Sequence, residues 1–195
     1  IANTTGHSNV AVGSVALDAN TTGDYNVAIG SFALGAATTA DKNVAVGPGA
    51  GQLITTGANN VAIGADALDA NTTGSYSTAV GNAALGANTT ASYNTAFGNT
   101  ALEKNTTGHS NVAVGSATLA NATTAAENTC VGKDAANGIT TGPSNTVIGY
   151  RSGEYSVTLA TGTGNTLLGA YSRTSATNTS FANAIGYDVS GIAGY

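Results

Sequence analysis

Apolar residues come in threes along this chain, and a glycine closes each three, as in Val27-Ala28-Ile29-Gly30 and Val112-Ala113-Val114-Gly115. The closing glycine recurs at a constant 17-residue step: Gly13, Gly30, Gly47, Gly64, Gly81, Gly98, Gly115, Gly132 and Gly149. Gly169 comes three positions late, which implies an insertion of that size around 155–163, and Gly186 restores the regular step. Eleven copies therefore cover nearly all of the chain. Self-similarity at one short period is the signature of a solenoid, in which each repeat is a coil stacked on its neighbours.

The columns of the repeat predict what each coil is made of. The residue before the glycine is large and apolar, from Val12 and Ile29 to Phe97, Leu168 and Ile185. The residue before that is small, usually Ala (Ala11, Ala28, Ala45), with Cys130, Val147 and Leu167 as variants. The next position back is Val or Thr in all but Asn183. Such β-branched residues suit a pleated strand, and so short a repeat leaves little room for two helices and their turns. Each coil is thus expected to carry a short strand, and equivalent residues should stack at about 4.8 Å, giving a rod roughly 50 Å long. Successive strand residues point to opposite faces, so the small and the large apolar columns cannot share one core. One face fills the coil, and the other calls for a partner of the kind a symmetric oligomer supplies.

The remaining columns predict corners and a core. Leu17, Leu34, Leu68, Leu85, Leu102 and Leu119 stand four residues after the glycine, but Gly51 and Ala136 break the column. In those two repeats the position three residues later changes from a polar or small residue to Ile54 and Ile139. A narrow, close-packed interior tolerates neither void nor excess, so the two positions are expected to reach one volume. Gly153 is a third loss, with no replacement identifiable from the sequence. Asn-Thr-Thr-Gly segments, such as 20–23 and 71–74, read as corners, where Gly and Asn tolerate unusual backbone angles. The Asn that opens most strand motifs, from Asn9 to Asn165, is expected to form a stacked amide ladder.

Composition narrows the class. Only 8% of residues are charged while 42% are hydrophobic, a balance unlike that of a disordered chain. A net charge of −5 with five scattered basic residues offers nothing to neutralise a phosphate backbone, so no nucleic-acid partner is expected. No apolar run approaches membrane-spanning length. Residues 1–195 read as one β-solenoid domain. The opening Ile-Ala-Asn-Thr-Thr-Gly lies in mid-repeat, which is expected of a segment of a longer fibrous protein.

Candidate chemistry is sparse. His7 and His109 share one permissive turn position and read as exposed; Cys130 stands in the small-residue column and reads as a buried hydrophobe. The glycines of Gly47-Pro48-Gly49-Ala50-Gly51 lack the lysine and helix of a phosphate loop, and no carboxylates cluster as a glycosidase requires. We therefore expect no catalytic residue, no metal ligand and no cofactor. Asn3, Asn20, Asn71, Asn88 and Asn105 match the glycosylation sequon, as an Asn- and Thr-rich repeat does by composition. The one regular polar surface is a ladder of Thr pairs, Thr21–Thr22, Thr38–Thr39, Thr72–Thr73, Thr89–Thr90 and Thr106–Thr107, which motivates an ice-binding alternative.

The segment Asn26-Val27-Ala28-Ile29-Gly30-Ser31-Phe32-Ala33 resembles the head repeat of trimeric autotransporter adhesins of the YadA type, and Asn94-Thr95-Ala96-Phe97-Gly98 is similar to repeats of phage and bacterial tail-fibre proteins. The resemblance implies a left-handed parallel β-roll, three copies of which associate about a common axis. It also implies an extracellular fibre head, on a cell surface or a virion, that binds a protein or glycan of a host, matrix or environmental surface. The 17-residue step is longer than the commoner coils of that family.

Overall fold

The structure is a computed structural model that describes residues 2–154 and 159–193. Each coil contributes one strand of three residues: β1 (Val10–Val12), β2 (Val27–Ile29), β3 (Val44–Val46), β4 (Val61–Ile63), β5 (Thr78–Val80), β6 (Thr95–Phe97), β7 (Val112–Val114), β8 (Thr129–Val131), β9 (Thr146–Ile148) and β10 (Thr166–Leu168). β11 (Arg173–Thr174), β12 (Ala182–Ile185) and β13 (Ser190–Ala193) complete the chain. From β1 to β10 and on to β12 every neighbour pairs in parallel, equivalent residue on equivalent residue: Ala28 on Ala45, Ala45 on Ala62, Leu167 on Ala184. The fold is an all-β parallel β-solenoid with a 17-residue spacing, and no helix occurs among the described residues.

Eleven copies of the motif make about ten turns rather than eleven, because the chain does not wind again after Gly186. It reverses instead, and β13 pairs antiparallel with β12, Ala182 opposite Ala193. β13 also pairs in parallel with β11, so it closes that end of the sheet in place of another coil. Of the insertion expected around 155–163, residues 155–158 lie outside the described residues.

The core is a single file of small and medium side chains. The small column is buried from the second coil onward, as at Ala28, Ala45, Ala79, Ala96 and Cys130, while Ala11 in the first strand is exposed. The leucine column beside it is equally buried, at Leu34, Leu68, Leu85, Leu102 and Leu119. These leucines adopt positive φ, between 48° and 55° from Leu34 to Leu119. Such a backbone costs roughly 1–2 kcal/mol per residue, and burial of the side chain offsets it.

The exchange between leucine and isoleucine is borne out by geometry. A Cβ placed on Gly51 would lie 3.0 Å from Ile54 Cδ1 and 3.1 Å from Leu34 Cδ2, so Ile54 fills the space that a leucine at 51 would take. The structure also identifies the replacement for Gly153. A Cβ there would meet Val147 Cγ1 at 3.3 Å, Leu167 Cδ1 at 3.4 Å and Leu159 Cδ1 at 3.5 Å. Leu159 stands ten residues before Gly169, as Ile54 does before Gly64 and Ile139 before Gly149. Val147 and Leu167, the two enlarged members of the small column, supply the rest of the volume.

This packing sets up a double-mutant cycle. Gly51→Leu alone is expected to overpack the core and cost about 1–3 kcal/mol. Ile54→Asn alone opens a cavity and is expected to cost about 2–4 kcal/mol. The double variant recreates the Leu and Asn of neighbouring coils and should unfold within about 1 kcal/mol of the parent chain. Additive losses in urea titration would disprove the shared volume.

Candidate functional site

The surfaces that could carry function are the outer strand face, the corner ladders and the end of the stack near β12. Each follows from how one column of the repeat is placed.

The strand face comes first. From β2 to β10 the middle residue of the strand is buried, while the residues on either side point away from the core. Val12 is 56% exposed, Phe97 55%, Leu168 43% and Ile185 69%, with Val46, Val80, Val114 and Val131 half-buried between them. The companion row alternates by blocks between Val27, Val44, Val61 and Thr78, Thr95, then Val112 and Thr129, Thr146, Thr166. Parallel in-register pairing aligns the larger row into one continuous apolar strip along the solenoid, flanked by the mixed row of Val and Thr. Of the two apolar strand faces expected from the sequence, one lies in the core and the other on the outside of the chain.

The corners hold two amide ladders. In the first, Asn26, Asn43, Asn60, Asn94, Asn111, Asn128, Asn145 and Asn165 are buried. Asn111 shows the pattern: its backbone N–H and its amide both donate to Asn94 Oδ1, at 3.0 and 3.2 Å, and the amide also donates to Ala125 O at 2.8 Å. Its own Oδ1 accepts from the backbone and amide of Asn128. The ladder expected from the sequence is present, and it is interior.

The second ladder is formed by the Asn of Asn-Thr-Thr. Asn88 donates to Asn71 Oδ1 at 3.0 Å and Asn105 to Asn88 Oδ1 at 3.1 Å, and each also caps the carbonyl three residues on. Asn20, Asn71, Asn88 and Asn105 are fully buried, so the folded chain does not offer these sequons to a glycosylating enzyme. Asn105 Oδ1 is buried without a hydrogen-bond partner among the described residues, because the next coil holds Ala122 where the ladder needs another Asn. Ala122→Asn gives Asn105 Oδ1 a donor but moves the unpaired acceptor to position 122, where the next coil holds buried Ile139, so the melting temperature is expected to change by less than roughly 2 °C in calorimetry.

The Thr pairs divide into two kinds. Thr21, Thr38, Thr72, Thr89 and Thr106 are half-buried, and each donates its hydroxyl to the carbonyl of the matching Thr in the next coil, at 3.0 to 3.2 Å. Thr22, Thr39, Thr73, Thr90 and Thr107 are exposed. The pairs thus present a single outer row of hydroxyls, the inner row being engaged along the stack.

The other expected positions fall in plain roles. His7 and His109 are exposed. Cys130 is buried, and burial pushes its thiol far above the usual range, which disfavours the reactive thiolate. Gly47–Gly51 forms an ordinary corner of the repeat. Among the described residues no group of three His, Cys, Asp or Glu is placed to hold a metal ion, and no helix is long and apolar enough to cross a membrane.

The end of the stack carries a feature that sequence reasoning missed. Tyr171 meets Tyr150 edge-on, with ring centroids 5.4 Å apart, and meets Tyr187 in the same manner at 5.8 Å. Burial, then the neighbouring Tyr150, raises the Tyr171 hydroxyl above its ordinary pKa. Arg151 pairs with Glu154 at 2.9 Å, and Arg173 pairs with Asp188. The three tyrosines fall out of step with the repeat period, because they use two adjacent corner positions. A search of single columns therefore does not bring them together.

Fold and surface define the chain as a β-solenoid repeat protein. Comparison with protein-family models, curated proteins and solved structures yields no match to any of them.

Proposed function

We propose that this solenoid is a structural and adhesive fibre module that assembles as a homotrimer through its outer strand face and displays its remaining surface to an extracellular partner. The observation that supports the reading is the continuous outward-facing apolar row from Val12 to Ile185, exposed or half-buried along its length. Isolated apolar residues are normal on a protein surface, whereas a contiguous strip marks an association site. Copies of the same chain are the natural occupants, because a straight strip of fixed spacing matches another copy along its whole length. The low charge of the chain, 8% of residues, removes the like-charge repulsion that would oppose such packing. The resemblance to YadA-type heads and tail-fibre repeats supports three copies, the left-handed winding, and display on a cell surface or virion.

Light scattering on the purified chain is expected to give the mass of a trimer. Val80→Lys places a charge in the strip where its side chain is half-buried in one chain, so a monomer tolerates it. In a trimer it is expected to shift the mass toward monomer, since an unpaired charge buried at an interface costs several kcal/mol. A monomeric parent chain overturns the reading. Ice-recrystallisation inhibition is then the next assay, directed at the strand face, where Thr78, Thr95, Thr129 and Thr146 interrupt the valines.

A further inference from the structure

The two corner positions after the strand glycine hold small residues in many coils, among them Ser14, Ala65, Ala83 and Ser116. Near β12 they hold Tyr150, Arg151, Tyr171, Tyr187 and Asp188. Arg151, Tyr171, Tyr187 and Asp188 line a hollow of about 250 Å³. That is just below the roughly 300–1,000 Å³ of pockets for drug-sized ligands, so it suits a single small ring.

The chemistry of the hollow narrows the ring. Two cations, Arg151 and Arg173, face two anions, Glu154 and Asp188, in paired contacts, so the charges balance. An anionic ligand gains no net attraction from guanidinium groups already matched. A purely apolar ligand would strip water from those ion pairs and return no hydrogen bonds. A pyranose satisfies both constraints, since it has an apolar C–H face and a rim of neutral hydroxyls. Aromatic faces carry negative charge density that attracts the positive edge of a C–H bond. Tyr187 is 75% exposed and held edge-on by Tyr171, which makes it a fixed platform with surface still to cover. Asp188 keeps half of its side chain exposed, and a carboxylate bonded through one oxygen retains acceptor sites for hydroxyl groups.

We propose that this hollow binds a neutral hexopyranose unit of a surface glycan, with Tyr187 as the stacking platform, Tyr171 as the wall and Asp188 as the hydroxyl acceptor. The inference deepens the adhesive reading by naming the class of ligand, and it rests on that reading for an extracellular source.

Saturation-transfer NMR on the intact chain tests it with methyl glycosides of glucose, galactose and mannose, N-acetylglucosamine, and N-acetylneuraminic acid as the anionic counterpart. At least one neutral sugar is expected to bind. Tyr187→Ala should weaken it by about tenfold or more, and Asp188→Asn should also weaken it. Tyr76→Ala, in the exposed stacked pair with Tyr93, should leave binding unchanged. Absence of any neutral-sugar signal, binding confined to N-acetylneuraminic acid, or unaltered binding by Tyr187→Ala overturns the site. Light scattering on the same samples separates the two readings. A trimer that ignores sugars loses only this inference, and a monomer that binds them loses only the fibre assembly.

Discussion

Replacing Asn111 by Ala is expected to destabilise the solenoid by about 3–5 kcal/mol. The side chain is fully buried and sits in the middle of the first amide ladder, where it serves three coils. Its removal leaves Ala125 O without the amide that donates at 2.8 Å, and it takes from Asn128 the acceptor of both its backbone N–H and its amide. Each buried group left unpaired costs about 1–3 kcal/mol, and no water column replaces the lost amide in so narrow a core. The repeat itself provides the control. Ser77 stands in this column, and its hydroxyl accepts from the backbone of Asn94 at 3.3 Å. Asn111→Ser should therefore recover the bond to Asn128 and cost roughly half as much. Urea titration followed by circular dichroism measures both, and equal losses for Ala and Ser would show that the ladder is not what the column supplies.

A second large effect is expected at the glycine that closes each strand. Gly98 adopts a φ of +145°, outside the range open to side-chain-bearing residues. A Cβ built there would stand 2.4 Å from the carbonyl oxygen of Gly115 and 2.5 Å from its carbon. The obstacle is backbone of the next coil, which cannot rotate away as a side chain would. Gly98→Ala must strain its own angles or push two coils apart against the 2.7 Å bond from Gly115 N–H to Phe97 O. Together these are worth about 3–5 kcal/mol. Gly35→Ala makes the comparison: its Cβ would lie 3.3 Å from Phe32 O, and the equivalent position in another coil is Ala120. We expect it to cost less than about 1 kcal/mol. Similar melting temperatures for the two variants would refute this account of the column.

The repeat was legible because a stacked coil applies one environment to every seventeenth residue. The invariant Gly98 column, the small column of Ala96 and Ala113, and the trade between Leu102-type and Ile54-type positions each report a constraint imposed many times over. The Asn ladder was legible for the same reason. What escaped was what occurs once. The contribution of Val147 and Leu167 to the space above Gly153 depends on contacts between adjacent coils, and no single column records it. The reversal into β13 was hidden by Gly186, which keeps the period while the chain beyond it departs from the coil. The tyrosine cluster spans two columns, so periodic reading separates the residues that the stack brings together. The Thr pairs show the converse: they are perfectly periodic, yet half of their hydroxyls are engaged by the scaffold, so regularity alone did not mark a binding face.

The parallel, in-register pairing of one coil on the next also fixes how the molecule bears load. Its coil-to-coil hydrogen bonds point along the stack, from Gly30 to Val12, Gly47 to Ile29 and Gly64 to Val46. Tension applied between the two ends therefore meets these bonds head-on and in series, one coil's worth at a time, instead of shearing a whole sheet at once. Each 17-residue coil that peels away releases about 50 Å of slack, given roughly 3.4 Å per extended residue and the 4.8 Å it occupied when stacked. A stack of this kind is expected to yield in small, nearly equal steps and to lengthen many times over before its last coil opens.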